Sequence, residues 1–423
     1  MKENIKKKIV EISQILITDI ASELGLLSGL GGQILTCSEL FLQQKVSQDW
    51  LIDLHQVLEE KLANEDFIFT HCTGLAGIGW LYEYLSQRKI IDYDTNLLLE
   101  DFDIVLEKAL KNFILGNTYD FLHGGVGVAL YFTKRIKKKK KLVSVLNQFL
   151  KDLEKISIKQ EDGTIKWLSF LGEQHNPQQG YNISLSHGMA SIVVILSKLY
   201  KIEGIDKQKT ETLLRGAVTY ILAQEIDKEK HGSYFANFAL ESLSSEQVDK
   251  ETSEQVDKET SGQEYSSTLN ITKSRLGWCY GDLGIAAALY QAGNALQENM
   301  WIEKAIEVLL YAAIHRKNLV DNYVQDAGLC HGAAGIGHIF YRMWWNTKLP
   351  EFKDAATYWF QETLKMATFE DGFAGFKTLE MPNGKQEWLN KYGLLDGIAG
   401  IGLALLTYYY EMEPEWDECL LLS

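Results

Sequence analysis

Two cysteines and a histidine lie one or two residues before glycines in two copies of a repeated motif. Cys279 lies two residues before Gly281. In the next copy, Cys330 and His331 directly precede Gly332. Two thiolates and an imidazole are a common zinc ligand set, and three protein ligands leave the fourth tetrahedral position open for a substrate. Because equivalent positions of consecutive repeats lie side by side in repeat proteins, we predict that these three residues form a catalytic zinc site.

Ordinary packing is the competing interpretation of each cysteine, because a free cysteine behaves as a small hydrophobic residue. For Cys279 and Cys330, the shared position within the repeats favours the metal. Cys72 occupies the same position in an earlier copy. That copy is expected elsewhere in the fold, so Cys72 is interpreted as a packing residue. Cys37 and Cys419 lie away from the motifs and lack positional support for a role in chemistry.

Four further polar residues could take part in proton transfer or charge stabilisation. His187 and His123 directly precede motif glycines, and a histidine with a pKa near 7 can move protons. Their common repeat position predicts that both point into the same mouth of the fold. Asp120, three residues before His123, could orient an imidazole or a bound peptide. Arg275, four residues before Cys279, could stabilise a developing enolate or pair with Asp120.

The motif itself is a glycine followed three residues later by another small residue, and it occurs seven times. Most copies run into an apolar stretch typical of a helix that is buried on most faces, whereas the segments between copies are amphipathic. Each repeat is therefore predicted to pair a buried inner helix with an outer helix. Seven pairs predict an all-α fold, an (α/α)7 toroid, with an open solenoid as the rival arrangement. The first glycines of the copies are Gly29, Gly74, Gly124, Gly188, Gly281, Gly332 and Gly397.

The whole chain, residues 1–423, is predicted to form this single toroid, because each repeat extends one continuous core. The longest interval between motifs contains an eight-residue polar sequence twice in tandem. Such a segment cannot bury a core, so 241–264 is predicted to be a mobile low-complexity loop between repeats four and five. The segment 163–183 is interpreted as an irregular lid or short hairpin. Asp282 and Asp396 are interpreted as helix-start caps.

Composition and charge argue against several kinds of partner and location. The net charge of −15 argues against nucleic acid, because phosphate binding needs a basic surface. Five cysteines at scattered spacings are typical of reduced thiols, and no apolar run reaches the roughly 18 residues of a membrane span. We therefore predict a cytoplasmic protein. The one strongly basic run, 134–141, is interpreted as a solvated helix end, with a dock for an acidic peptide as the alternative.

Three short motifs set among the seven glycine repeats resemble those of a known family. They are Trp-Cys-Tyr-Gly at 278–281, Cys-His-Gly at 330–332 and Ser-His-Gly at 186–188. Over nearly the whole chain, this pattern resembles the LanC-like lanthionine cyclases. The resemblance implies an (α/α)7 barrel with one zinc ion at its mouth. It also implies intramolecular addition of cysteine thiols to dehydroalanine or dehydrobutyrine in a ribosomally made precursor peptide, which forms (methyl)lanthionine thioether rings.

The resemblance also implies residue roles. The implied zinc ligands are Cys279, Cys330 and His331. Further active-site groups are implied at His187, Asp120, Arg275 and Tyr280. We expect His187 to protonate the enolate that thiol addition produces, with Arg275 near that enolate. The chain departs from the family pattern at Ser191, in place of a motif glycine, and at Leu283, where members often carry proline.

The partners implied by the resemblance are a dehydrated precursor peptide, the dehydratase that prepares it and an exporter in the same biosynthetic complex. The expected location is the cytoplasm, with membrane association through these partners. Two other functions fit parts of the pattern. Zinc-dependent thiol alkylation, as in prenyltransferase β subunits, needs a carboxylate zinc ligand and diphosphate-binding groups, for which no matching motif is seen. A non-cyclising, zinc-containing protein that binds glutathione or a protein partner is the main alternative.

Overall fold

Seven inner helices begin directly after the motif glycines, as predicted. The computed structural model describes residues 1–64, 68–171, 178–239, 274–381 and 385–423. The predicted loop at 241–264 lies outside these residues. In the described part of the chain, the inner helices are Leu30–Leu42, Leu75–Gln87, Gly125–Arg135, Met189–Tyr200, Asp282–Leu296, Ala333–Thr347 and Ile398–Tyr410. Nearly every side chain in their first turns is buried, which is why these segments are apolar on all faces.

An outer layer of amphipathic helices covers the inner helices. Its members are Lys2–Thr18, Gln48–Asn64, Glu100–Leu115, Val143–Lys155, Lys207–Leu222, Asn299–His315 and Pro350–Lys365. Shorter helical segments are Thr95–Leu98 and Lys228–His231 and the 3₁₀ turns Lys140–Leu142 and Glu415–Leu420. None of the helices in the described ranges has the length and apolar character needed to cross a membrane. The cytoplasmic location stays a prediction.

Contacts between the first and last repeats close the helices into a toroid. The inner helix Ile398–Tyr410 packs against Leu30–Leu42, and the N-terminal helix Lys2–Thr18 packs against Ile398–Tyr410 as its outer partner. The chain therefore begins with the outer helix of its last repeat. The predicted all-α toroid is confirmed, and the open solenoid is wrong. The assignment of 1–423 to one domain stays a prediction.

Within the described residues, three short antiparallel hairpins interrupt the helices. Ile158–Lys159 pairs with Ile165–Lys166, and Ser169–Leu171 pairs with Gln178–Gly180. These two hairpins occupy the region around 163–183, where a lid or short hairpin was predicted. The third hairpin joins Thr378–Glu380 to Glu387–Leu389 in repeat six. The strands are only two or three residues long, so they are short excursions from loops that connect the helices.

The second glycine of the motif lies against main-chain atoms of the loop before its helix. A Cβ added at Gly335 would be 1.9 Å from the carbonyl oxygen of Leu329, and one at Gly400 would be 1.8 Å from that of Leu394. Side-chain carbons do not approach other atoms this closely, so glycine is required at these two positions for the start of the helix to pack against its own loop. In repeat four, Ser191 takes the place of this glycine, and its buried hydroxyl donates to a carbonyl three residues earlier at 2.7 Å.

Main-chain hydrogen bonds join the loops that precede the inner helices, and we call this set of bonds the rim ring. In six of the seven repeats, the residue two places before the motif glycine donates its N–H to the equivalent carbonyl of the next repeat; among the described residues, Leu122 is the exception. The bonds are Leu27 to Cys72 (2.9 Å), Cys72 to Leu122 (3.0 Å), Ser186 to Cys279 (3.3 Å), Cys279 to Cys330 (3.3 Å), Cys330 to Leu395 (3.0 Å) and Leu395 to Leu27 (2.8 Å). The rim ring fixes the residues beside each motif glycine at one end of the toroid.

The segment 414–423 occupies the centre of the inner helices, a feature that sequence reasoning missed. Nε2 of His71 hydrogen-bonds to the carbonyl of Cys419 at 3.0 Å, and the indole N–H of Trp278 donates to the carbonyl of Leu420 at 2.8 Å. His71 and Trp278 each lie three residues before a motif glycine. The segment therefore supports the loops of the rim ring from inside the toroid.

Buried ion pairs anchor the same segment to two sides of the inner ring. Arg342 donates to both carboxylate oxygens of Asp417 at 2.8 Å, and Nε2 of His338 lies 3.0 Å from the same carboxylate. Glu418 pairs with Lys134 and with Lys198, the latter at 3.4 Å. A charge left unpaired in such a place is strongly destabilising, so these pairs hold the segment in one position.

Two expectations about charged residues are corrected by the structure. The basic run 134–141 is not simply a solvated helix end, because Arg135 is fully buried between Glu83 and Asp103 at 2.8 and 3.1 Å. Lys139 also pairs with Asp103, at 2.8 Å. The end of this inner helix faces acidic residues from distant parts of the sequence, and a local charge pattern cannot show them.

Asp282 does not cap its helix, because the N-cap is the motif glycine. Its fully buried carboxylate instead accepts hydrogen bonds from the main-chain N–H groups of Tyr234 at 3.1 Å and Phe235 at 3.0 Å. It also pairs with Arg316 at 2.8 Å. Asp396 is not the N-cap of its helix either: it precedes Gly397, which forms the N-cap. The rule that acidic residues cap helices failed here because glycine is required for close packing at the N-cap.

Substitution of Gly335 by alanine is expected to lower the free energy of unfolding by more than about 2 kcal/mol, because the new methyl group meets the main chain of Leu329. Gly337 on the same helix is the matched control, since a Cβ there would lie 3.3 Å from the ring of Phe360 and from the Cβ of Trp359. Gly337→Ala is therefore expected to change stability much less. Urea unfolding followed by circular dichroism measures both. Equal effects of the two substitutions would contradict the close-packing role of the motif.

Candidate metal centre and active site

Cys279, Cys330 and His331 come together at the rim ring. One potential ligand atom from each lies within 4.8 Å of the others, and no other such group of three occurs in the described ranges. Cys279 is buried, while Cys330 and His331 are partly accessible. The sequence placed these residues together by repeat position alone, and the structure brings them to one spot.

Hydrogen bonds between the loops of repeats five and six produce this proximity. The N–H groups of Trp278 and Cys279 both donate to the carbonyl of Cys330, at 2.9 and 3.3 Å. Gly277 permits the close approach, because a Cβ there would lie 3.0 Å from the Cα of His331. The two thiols and the imidazole are therefore held by main-chain geometry rather than by flexible side chains.

The donor set fits a zinc ion. With Zn–S bonds of about 2.3 Å and Zn–N bonds of about 2.0 Å, tetrahedral ligand atoms lie roughly 3.5–4 Å apart, which is compatible with the observed cluster. Nδ1 of His331 is buried and has no hydrogen-bond partner among the described residues. Three protein ligands would leave one tetrahedral position for a substrate. Two thiolates are the kind of soft ligands that favour zinc over magnesium or calcium.

The two thiols share their ionisation. A hydrogen bond from the Cys330 thiol lowers the pKa of Cys279 well below its usual value, and the nearby His331 and Arg275 act in the same direction. The same hydrogen bond, together with burial, raises the pKa of Cys330. One thiolate therefore forms readily here, and a bound cation would favour the second. Such a pair of thiols is predisposed to bind a metal ion.

His187 and Asp120 form a hydrogen-bonded pair beside this cluster. Nδ1 of His187 contacts Oδ2 of Asp120, and the main-chain N–H and the hydroxyl of Ser186 both donate to the carbonyl of Cys279, at 3.3 and 3.1 Å. Burial alone would lower the pKa of His187, but the hydrogen bond and the negative charge of Asp120 outweigh it and raise the pKa. The imidazolium form is thus favoured next to the predicted metal ligands.

Tyr280 and Arg275 complete the set of predicted site residues. The rings of Tyr280 and His187 have centroids 6.0 Å apart, and burial followed by the charge of Cys279 raises the pKa of Tyr280. Its phenol is therefore protonated at neutral pH and able to donate a hydrogen bond. Arg275 lies close enough for its charge to act on Cys279 and His331. The seven residues predicted from the sequence thus surround one region of the rim.

Sequence reasoning missed two neighbours of this region. Asp396 was interpreted as a cap, yet burial raises its pKa to about 6, and it interacts with the charge of His331. The signal was present, because Asp396 directly precedes its motif glycine, as His331 does. Phe238 packs on Tyr280 with ring centroids 5.8 Å apart. Phe238 lies outside the motifs, so no sequence pattern marked it.

The fold and this arrangement agree with comparisons to known proteins. Residues 20–421 match the family described as "Lanthionine synthetase C-like protein", and the chain belongs to this family. Nisin biosynthesis protein NisC of Lactococcus lactis subsp. lactis is 24% identical over 424 residues, covering 95% of this chain and 89% of NisC. The solved structure of a nisin cyclase has a TM-score of 0.70 and 20% sequence identity, covering 100% of this chain and 97% of that chain. This structural similarity supports the toroid fold.

We expect purified protein to contain about one zinc ion per chain and to lose it on substitution of Cys279 or Cys330 by alanine, because either change removes one of three ligands. Cys72→Ala is the matched control, since Cys72 occupies the equivalent position of repeat two but is not part of the cluster. Elemental analysis measures the metal, and circular dichroism checks that each variant folds. Full zinc content in both site variants would contradict the ligand assignment.

Proposed function

We propose that this protein is a zinc-dependent peptide cyclase that forms lanthionine and methyllanthionine rings. Its reaction would be the intramolecular addition of cysteine thiols to dehydroalanine or dehydrobutyrine in a ribosomally made precursor peptide. The main support is the placement of a two-cysteine, one-histidine cluster beside the His187–Asp120 pair at the same rim. Membership of the lanthionine synthetase C-like family and the similarity to NisC agree with this proposal.

The proposed reaction first needs a thiolate. A cysteine thiol with a pKa of about 8.5 is mostly protonated at neutral pH, and only its thiolate attacks efficiently. Cys279, Cys330 and His331 would hold the zinc ion, which when bound supplies a Lewis acid that favours the thiolate form of the substrate. Main-chain hydrogen bonds hold Cys279 and Cys330 in place, and three protein ligands would leave one position of a bound zinc ion for the substrate thiol.

The bond-forming step places negative charge on the peptide. The thiolate attacks the β-carbon of the dehydro residue, a carbon–sulfur bond forms, and the electron pair of the carbon–carbon double bond moves toward the carbonyl oxygen as an enolate. Arg275 lies near enough to Cys279 for its charge to act on the thiol, and the same charge would stabilise the enolate. The phenol of Tyr280, which burial keeps protonated, would donate a hydrogen bond in the same region.

Protonation of the α-carbon completes the ring. His187 is the proposed acid, because the hydrogen bond and charge of Asp120 favour its protonated form and engage Nδ1. Nε2 is then the nitrogen that exchanges a proton with the substrate. The proton lost by the thiol equals the proton gained by the α-carbon, so the product is an isomer of the linear dehydrated peptide.

This chemistry defines the partners that we propose. The acceptor alkene must be made beforehand by a reaction that removes water from serine or threonine side chains, so a dehydratase has to precede this protein. The substrate is then a dehydrated precursor peptide with free cysteines. An exporter in the same complex would remove the product, and such partners would provide any association with a membrane.

Incubation of a dehydrated, cysteine-containing precursor peptide with the zinc-loaded protein is expected to abolish reaction of the peptide with a thiol-alkylating reagent without changing the peptide mass. Cys279→Ala is expected to leave the peptide thiols reactive. Mass spectrometry after alkylation measures both outcomes. Persistence of all peptide thiols with the zinc-loaded wild-type protein would contradict cyclisation and favour the alternative of a non-cyclising protein that binds glutathione or a partner.

His187→Asn is expected to retain zinc and to lower the cyclisation rate by about 10²–10⁴-fold, because a positioned acid contributes a factor of this size. His315→Asn is the matched control, since His315 is an exposed histidine that packs on Tyr311 and belongs neither to the cysteine–histidine cluster nor to the His187–Asp120 pair. Single-turnover kinetics measure the rate of thiol loss. A wild-type rate for His187→Asn would remove this residue from the mechanism.

A further inference from the structure

His123 lies beside His187, and the proposed mechanism has not used it. The two imidazoles have ring centroids 6.0 Å apart, and their planes are inclined by 24°. Both residues directly precede motif glycines, in consecutive repeats. His123 is exposed to solvent, whereas the side chain of His187 is only 29% exposed. His123 therefore lies between the solvent and His187, the proposed acid.

Asp120 connects the two histidines through its two oxygens. Oδ1 accepts a hydrogen bond from the main-chain N–H of His123 at 2.6 Å, and Oδ2 contacts Nδ1 of His187. The carboxylate thus fixes the backbone at position 123 and the imidazole at position 187. Because Asp120 bonds to the main-chain N–H of His123, this bond does not involve the imidazole of His123.

We propose that His123 relays protons between bulk water and His187 during ring formation. This inference rests on the cyclase function proposed above. Once His187 has protonated the α-carbon it is neutral, and the proton released by the thiol has entered the surroundings. A second acid–base group at the solvent boundary would return a proton to His187, and a centroid separation of 6.0 Å leaves room for one bridging water between the rings.

The charges around His123 suit this role. Although its side chain reaches solvent, partial desolvation by the surrounding protein lowers the pKa of His123; the positive charge of His187 lowers it further, and the charge of Asp120 opposes both. His187 has the opposite shift, with a raised pKa. Of the two imidazoles, His123 gives up a proton more readily and His187 retains one, so a proton taken up from water by His123 passes favourably to His187.

The test is chemical rescue of His123→Ala. In a dilute buffer that transfers protons poorly, its kcat for cyclisation of the dehydrated peptide is expected to fall on the order of 10-fold, with zinc content and KM unchanged. Added imidazole, a diffusible acid–base group, is expected to restore kcat toward the wild-type value. The hydrogen bond to Asp120 survives in the variant because it comes from the main chain. His315→Ala is the control and is expected to behave as wild type in both buffers.

Three results would contradict the relay. An unchanged kcat of His123→Ala in dilute buffer would show that His187 exchanges protons without help. A lowered kcat that imidazole does not raise would show a structural role for the side chain. Failure of the wild-type protein to cyclise the peptide in any buffer would overturn the cyclase function itself, and with it this inference, whereas the first two results leave the cyclase function standing.

Discussion

The rim ring is the interaction on which the rest of the structure depends. Six of the seven loops before the inner helices donate a main-chain N–H to the next loop, and the bond from Leu395 to Leu27 joins the last repeat to the first. These bonds hold neighbouring loops at fixed positions relative to one another. Cys279 and Cys330 are themselves members of the rim ring, and His331 directly follows one of them. The proposed metal ligands are therefore attached directly to the hydrogen-bonded main chain.

Glycine and the segment 414–423 make the rim ring possible from two sides. Glycines such as Gly335 let each inner helix start against its own loop, which brings neighbouring loops within hydrogen-bonding distance. From inside the toroid, the carbonyl of Leu420 holds the indole of Trp278 next to Cys279. The buried pair of Asp417 with Arg342 keeps this segment in place. Chemistry at the rim thus depends on packing at the centre.

The fold and the candidate site were largely predictable because both follow from one repeated motif. The spacing of glycines predicted the inner helices, and repeat position alone grouped Cys330 with Cys279. What the sequence could not show are contacts between residues far apart in the chain. The burial of Arg135, the use of Asp282 inside the core and the central place of segment 414–423 all depend on such partners. Local charge patterns carry no information about them.

The most direct test is the ligand set of the proposed zinc ion, because the proposed reaction begins at that ion. Zinc-edge X-ray absorption on the zinc-loaded protein counts sulfur and imidazole ligands without reference to activity. The account predicts two sulfur ligands and one imidazole, from Cys279, Cys330 and His331. A shell of nitrogen and oxygen alone, or a shell of four sulfurs, would contradict it.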